Sequence, residues 1–425
     1  MQDPSSIYVD STYSPTPKIH HIFSVISRLV GEGYEMDTAD FETAYLNAPI
    51  DGDIYMIIDS DTIRILLQLY EKTGVNYLNH LDEKDRLFVK LNKAIYGLQQ
   101  SAKLWNSTAS NALKSMGYKQ NSIDECIFYN DNGIIILYAD DLLLIHKTKE
   151  INDSILSQLS KTFTLSKTSN GSNIFNYLGM NLHVNKSMIS ISMKQFVETI
   201  LKEYGTVKSF SSPSIKNLFD IDTQSEQATE DERKKFHTFT AKLLYLSNRT
   251  RPDLSLAVSF LTTRVTCATK ADLTKLERVM GYLNSTKEFK LKFWIDMTYP
   301  RLECYVDASF CLHHDGKSQS GMVTKFCGAT VSWKSTKQTL VSKSSTESEL
   351  IALTDYCTFI SEFDACLFEM NLISDVPVVY QDNESVLKLL SNSNFSHRTR
   401  HLRVIFCRIE LYYHPIQNLL TDLRM

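Results

Sequence analysis

The stretch IIILYADDLLLI, Ile134 to Ile145, limits what this chain can fold into more than any other. Each flank is apolar enough to be a buried strand, yet two adjacent aspartates, Asp140 and Asp141, sit between them. Aspartate is depleted in strands, and an ionised carboxylate is costly to bury unless something pairs with it. The pattern therefore reads as two short strands meeting at a tight turn that presents both acids. Asp40 ends another apolar-leaning strand, YEMDTADF, a hundred residues earlier. Carboxylates converging at strand ends suit a hard divalent cation, whose charge offsets their desolvation. A plain solvent-exposed Asp-Asp turn satisfies the same spacing, because aspartate favours turns.

The rest of the chain has room for such a site. Its 425 residues predict two or three domains, and 43% hydrophobic with 22% charged residues is ordinary for a globular protein. A net charge of −4 provides no global basic field for nucleic acid, although a cleft can be locally basic. The eight cysteines form no C-x-x-C pair and no zinc spacing. The start, MQDPSSIYVD, lacks a basic and an apolar signal region, and the longest greasy run is broken by the two aspartates. These features predict reduced thiols, no membrane span, and a cytoplasmic or nuclear protein.

Periodicity predicts helices over 18–31, 101–116 and 150–162, a hairpin through YLGMNLHVNKSMISIS, and a helix around Phe196, Ile200 and Leu201. Residues 208–234 are polar and read as an exposed linker, followed by a helical block over 235–285. From Leu302 the order is strand, hairpin, long helix 346–370, strand and helix, a compact α/β pattern.

A second acid set accompanies that pattern: Asp307 on a strand, Glu349 on a helix and Asp382 at a strand end, each flanked by apolar residues. Glu347 and Glu349 are two apart, so only one can face a given side of the helix. By themselves these residues read as separate surface acids. His313-His314 reads as an exposed polar pair and HRTRHLR, 397–403, as a solvated basic face. GKS at 316–318 lacks the first glycine and the strand-to-helix context of a P-loop.

Taken in order, these blocks resemble the reverse transcriptase–ribonuclease H segment of a copia-type LTR retrotransposon polyprotein. DFETAYLNAPIDGDIYM (Asp40–Met56), LNKAIYGLQQSAKLW (91–105), YADDLL, YLGMNL (177–182) and LLYLSNRTRPDLSLAV (243–258) are similar to its polymerase blocks. VDASF, KSQSG, VSWKSTKQ, SSTESELIAL, QDNESV and HRTRHL are similar to its ribonuclease H blocks.

The resemblance implies an α/β (α+β) fold. A right-hand polymerase palm with partial fingers would occupy residues 1–185, thumb and connection 186–296, and a ribonuclease H-like α/β domain 297–425. It implies two Mg²⁺ (or Mn²⁺) per active site. Asp40, Asp140, Asp141 and the Phe41 carbonyl would hold one pair, and Asp307, Glu349 and Asp382 the other. Tyr45, Gln100 and Tyr138 would line the nucleotide pocket. Leu178, Gly179, Arg398, Arg400 and His401 would touch nucleic acid. The implied partners are an RNA template, a DNA primer, an RNA–DNA hybrid and dNTPs, with virus-like particles a further implied location. The family's basic fingers strands are not matched, and its late fourth acid is not recognisable, Asp422 being poorly placed. These departures leave a second expectation, an inactive element-derived remnant that at most binds nucleic acid.

Overall fold

The computed structural model describes residues 12–50, 52–68, 81–83, 86–167, 173–185, 187–298 and 300–391. Its first part runs α1 (Ile19–Gly31), β1 (Glu35–Phe41), a 3-10 turn (Ala44–Asn47), β2 (Tyr55–Ile58), α2 (Ser60–Gln68) and β3 (Leu87–Lys90). It continues with α3 (Ser101–Ser115), β4 (Lys119–Gln120), β5 (Ile127–Asn130), β6 (Gly133–Tyr138), β7 (Asp141–His146), α4 (Lys149–Leu159) and β8 (Leu165–Lys167). Six of these strands form one antiparallel sheet in the order β4-β5-β6-β7-β1-β8. The continuous grease of β6 and β7 follows from cover on both faces. Ile134, Ile136, Leu143 and Ile145 pack in the core that includes α1. Ile135, Leu137, Leu142 and Leu144 pack with Trp105 and Leu113 of α3 and with Ile155 and Leu159 of α4.

Next come β9 (Ile174–Tyr177), β10 (Met180–Val184), β11 (Met188–Ser192), α5 (Lys194–Tyr204), α6 (Glu230–Ser247), α7 (Ser255–Thr262), α8 (Lys270–Ser285) and β12 (Leu291–Trp294). The strands form a second antiparallel sheet, β12-β11-β10-β9. A division at 185/186 runs through the β10–β11 hairpin and is not a seam between sheets. The helical block expected over 235–285 is three helices: Pro252 lacks the N–H a continuing helix requires, and after Thr262 a Thr269–Asp272 capping box opens a new one. The expected linker ends earlier than 234, since a Thr229–Glu232 capping box opens α6. It is not simply exposed either: Leu218 and Phe219 are buried in the main core.

The third part, β13 (Leu302–Ser309), β14 (Gln319–Phe326), β15 (Ala329–Lys337), α9 (Ser345–Glu369), β16 (Val378–Tyr380) and α10 (Glu384–Ser391), keeps the expected order. Its sheet is β15-β14-β13-β16, with β16 parallel to β13. Residues of α1 lie buried between the first and third sheets, with Phe23 packed edge-on against Phe293 and stacked on Trp333. One core therefore runs through all three parts. No described helix is long and apolar enough to cross a membrane.

Candidate active sites

The first acid site is built by strand register. Antiparallel pairing of β1 with β7 sets Asp40 directly across from Asp141. Tyr138 and Asp141 pair across β6 and β7, so Ala139 and Asp140 alone make the turn. The Asp140 carbonyl accepts the N–H of Phe41 at 2.8 Å, which locks the turn onto β1. The ring of Phe41 is buried beneath the strands against Trp105 and Phe163.

The three acids crowd one another electrostatically. Burial, then Asp140 and Asp40, push the Asp141 carboxyl up to about 6. Burial, then Asp140 and Glu42, raise that of Asp40. Among the described ion pairs none supplies a cation to these acids. An acid cluster short of positive charge, with oxygen donors only, fits a hard divalent ion.

Tyr45 lies on the 3-10 turn with its ring 4.5 Å from that of Tyr96. Tyr96 is 60% exposed. Its phenol is held above its ordinary pKa first by desolvation and then by Asp140. Sequence reading overlooked Tyr96, since a lone loop tyrosine has no periodic signature. Gln100, expected in the nucleotide pocket, is 1% exposed, and its amide has no hydrogen-bond partner among the described residues. Tyr138 is half-buried at the end of β6, packed against the main core. Leu178 and Gly179 form the β9–β10 turn with φ of 52° and 73°, the left-handed pair that a tight hairpin requires.

The second acid site gathers residues from three elements. Asp307 lies on the exposed face of β13, Glu349 in the first turns of α9, and Asp382 just past β16. Their ligand oxygens all lie within 4.8 Å of one another. Among the described residues this is the one group of three such side chains gathered in this way. The donor set again fits a hard divalent ion.

Glu349 is buried, and burial first, with Asp307 and Asp382 after it, pushes its carboxyl up to about 7. Gln381 Nε2 donates to Glu349 Oε2 at 3.2 Å, while Gln381 Oε1 accepts the Asn383 N–H at 2.9 Å. The second bond fixes the amide so that its NH₂ faces the acid. Glu347 points elsewhere: it accepts the Lys343 N–H at 2.6 Å, and the Ser344 hydroxyl accepts the Glu347 N–H, so it caps α9. A cavity of about 780 Å³ opens beside Asp307 and Asp382, lined by Tyr305, Tyr380, Trp333 and Leu256.

One expectation changes. His313 is not an exposed loop residue but is buried, its Nε2 2.7 Å from Gln319 Oε1 and its ring edge-on to Phe219. His314 alone is exposed. Arg398, Arg400, His401 and Asp422 lie outside the described residues.

Comparison with known proteins decides the family. Residues 1–214 match the family described as reverse transcriptase (RNA-dependent DNA polymerase). The chain belongs to the reverse transcriptase family. Its copia-type character shows in its relatives. It is 26% identical to the retrovirus-related Pol polyprotein from transposon TNT 1-94 of Nicotiana tabacum, over 97% of this chain and 30% of that protein. It is 26% identical to the RE1 Pol polyprotein of Arabidopsis thaliana, over 98% of this chain and 27% of the relative. The putative transposon Ty5-1 protein of Saccharomyces cerevisiae is 26% identical over 74% of this chain and 98% of its own length. This reverse transcriptase chain thus spans under a third of the tobacco and Arabidopsis polyproteins. A solved foamy viral protease–reverse transcriptase, in complex with double-stranded DNA, shares the fold. The TM-score is 0.51 at 12% identity, over 96% of this chain and 58% of that one.

Proposed function

We propose that the chain extends a primer 3′ end by nucleotidyl transfer at Asp40, Asp140 and Asp141. It would hydrolyse the RNA strand of RNA–DNA hybrids at Asp307, Glu349 and Asp382. The observation that carries this reading is the cross-strand register that sets Asp40 against Asp141 with Asp140 in the adjoining turn. The double-stranded DNA on the foamy viral relative supports a nucleic-acid substrate.

Each acid set would hold two Mg²⁺, with the Phe41 carbonyl a further ligand at the first. Bound there, the ions would lower the pKa of the attacking hydroxyl or water and carry phosphate charge. The chain's own part is to position. Strands β1, β6 and β7 would form the floor of a palm, and the Tyr45–Tyr96 pair would wall the sugar of an incoming dNTP. The Leu178–Gly179 turn would face the primer. Gln381 would orient Glu349, and the ribonuclease H-like unit would begin near residue 297.

A second reading is that the polymerase half only binds nucleic acid. Primer extension on poly(rA)–oligo(dT) with Mg²⁺ separates the two. Incorporation by wild type that is lost in Asp140→Asn supports catalysis, and equal incorporation by both, or none by either, refutes it. Hybrid cleavage is expected to vanish in Glu349→Gln; cleavage that survives rejects the nuclease assignment.

A further inference from the structure

The turn that bears Asp140 has both of its carbonyls tied down. That of Asp140 accepts the Phe41 N–H from β1 at 2.8 Å. That of Ala139 accepts the indole N–H of Trp105 from α3 at 2.7 Å. Ala139 itself has φ of 52°, a left-handed conformation that a residue with a Cβ rarely adopts without being held.

Trp105 is well placed to do the holding. It is 1% exposed, its ring wedged edge-on against Phe41 at 4.9 Å and Phe163 at 5.6 Å. An indole N–H can only donate, so once buried it needs an acceptor, and Ala139 provides it. The segment just before α3 carries Tyr96, whose ring lies 4.5 Å from that of Tyr45. A phenylalanine at 105 would keep most of the ring packing without the hydrogen bond.

We propose that Trp105 is a positioning residue: its indole N–H holds Ala139 in the left-handed conformation and so fixes where Asp140 and Asp141 present their carboxylates. The kinetic consequence rests on the polymerase reading of the site, whereas the positional claim rests on the geometry alone.

Three measurements on the full chain test it. In hydrogen–deuterium exchange by mass spectrometry, Trp105→Phe is expected to speed exchange across 138–142 by about five- to tenfold, as loss of one hydrogen bond implies. Peptides from β10 and β11 should stay unchanged. Ala139→Gly in the Trp105→Phe background should slow that exchange again, because glycine adopts positive φ unaided. Unchanged exchange in Trp105→Phe, or strictly additive effects in the double variant, overturns the proposal. In single-nucleotide incorporation, Trp105→Phe should lower kcat by about five- to tenfold with KM for dNTP held within about twofold. A wild type that fails to incorporate refutes the polymerase reading and leaves exchange to decide the positional claim. An active wild type matched by Trp105→Phe overturns the claim itself.

Discussion

Asn121, on the rim of the first sheet, and Cys366 of α9 are hydrogen-bonded to each other twice across 245 residues of sequence. Asn121 Nδ2 donates to the Cys366 carbonyl at 3.1 Å, and Cys366 Sγ donates to Asn121 Oδ1 at 3.5 Å. Close by, the Ser122 hydroxyl donates to Glu369 at 2.6 Å. Helix α9 carries Glu349 near its other end, seventeen residues away and so about 25 Å along the axis. One helix thus joins the rim of the first sheet to the Asp307–Glu349–Asp382 cluster.

That joint predicts a measurable cost. Asn121 Oδ1 also accepts the N–H groups of Ile123 and Asp124, each at 2.9 Å. Asn121→Ala strands these donors and the Cys366 carbonyl together in a buried place. It should lower unfolding free energy by about 2–3 kcal/mol, from the usual penalty for unsatisfied buried groups. Urea denaturation measures it, and a loss below about 0.5 kcal/mol would mean that water replaces the asparagine.

Arg251 anchors the helices that lie in sequence between the two acid sites. It is 2% exposed and forks onto Asp253, with Nε–Oδ1 at 2.9 Å and Nη2–Oδ2 at 2.7 Å. It also donates to the Thr286 carbonyl and hydroxyl at 3.2 and 2.6 Å, which ties the Pro252 turn to the end of α8. Arg251→Met leaves Asp253, part-exposed and still bonded by the Tyr282 hydroxyl, without its counter-ion and should cost about 1–3 kcal/mol. Adding Asp253→Leu should return part of that loss. A double-mutant cycle with no coupling between the two positions would contradict the ion-pair account.

His146 makes stability depend on pH. Asn152 Nδ2 donates to the Glu35 carbonyl, so its Oδ1, 2.7 Å from His146 Nδ1, must accept from the ring. His146 Nε2 then accepts the Tyr118 hydroxyl at 2.7 Å, and the buried imidazole is neutral. Burial lowers its pKa from 6.5 to about 4. Between those values the unfolded chain binds the proton and the folded chain does not. Stability from this residue is therefore complete above the unfolded pKa, falls as pH drops through the window, and is lost below the folded one. By about pH 5 the loss should be on the order of 2 kcal/mol. His146→Gln should show correspondingly less acid sensitivity than wild type in matched denaturation curves. Parallel curves would place the acid response elsewhere.

Local pattern carried much of the fold. The 25-residue helix α9 and the β6–β7 hairpin follow from apolar runs and their breakers, which are properties of neighbouring residues. Partnership was harder to read. Periodicity shows that Glu35–Phe41 is a strand but not that it pairs with β7, and the opposition of Asp40 and Asp141 exists only in that register. Likewise the acids at 307, 349 and 382 look like scattered surface charges until β16 runs parallel beside β13. Gln381 drew no notice, because its role depends on the backbone N–H of Asn383 turning its amide toward a glutamate 32 residues earlier in the chain. Trp105 was hidden for the same reason, its acceptor lying in a turn 34 residues on.

Gln381 yields the last prediction. Glu349 is buried beside two other acids, so its carboxylate is both repelled and poorly solvated, and the amide of Gln381 donates to it at 3.2 Å. Groups that orient a ligating carboxylate are typically worth about ten- to a hundredfold in metal affinity. Gln381→Leu keeps the approximate volume and removes the donor. It should weaken Mn²⁺ binding at the Asp307–Glu349–Asp382 site by roughly that factor, read by isothermal titration against Glu349→Gln as the empty-site control. If hybrid cleavage is present, its Mg²⁺ requirement should rise in parallel while the maximal rate at saturating ion changes little. A variant that binds Mn²⁺ as tightly as wild type would show that burial and the neighbouring strands orient Glu349 without the amide.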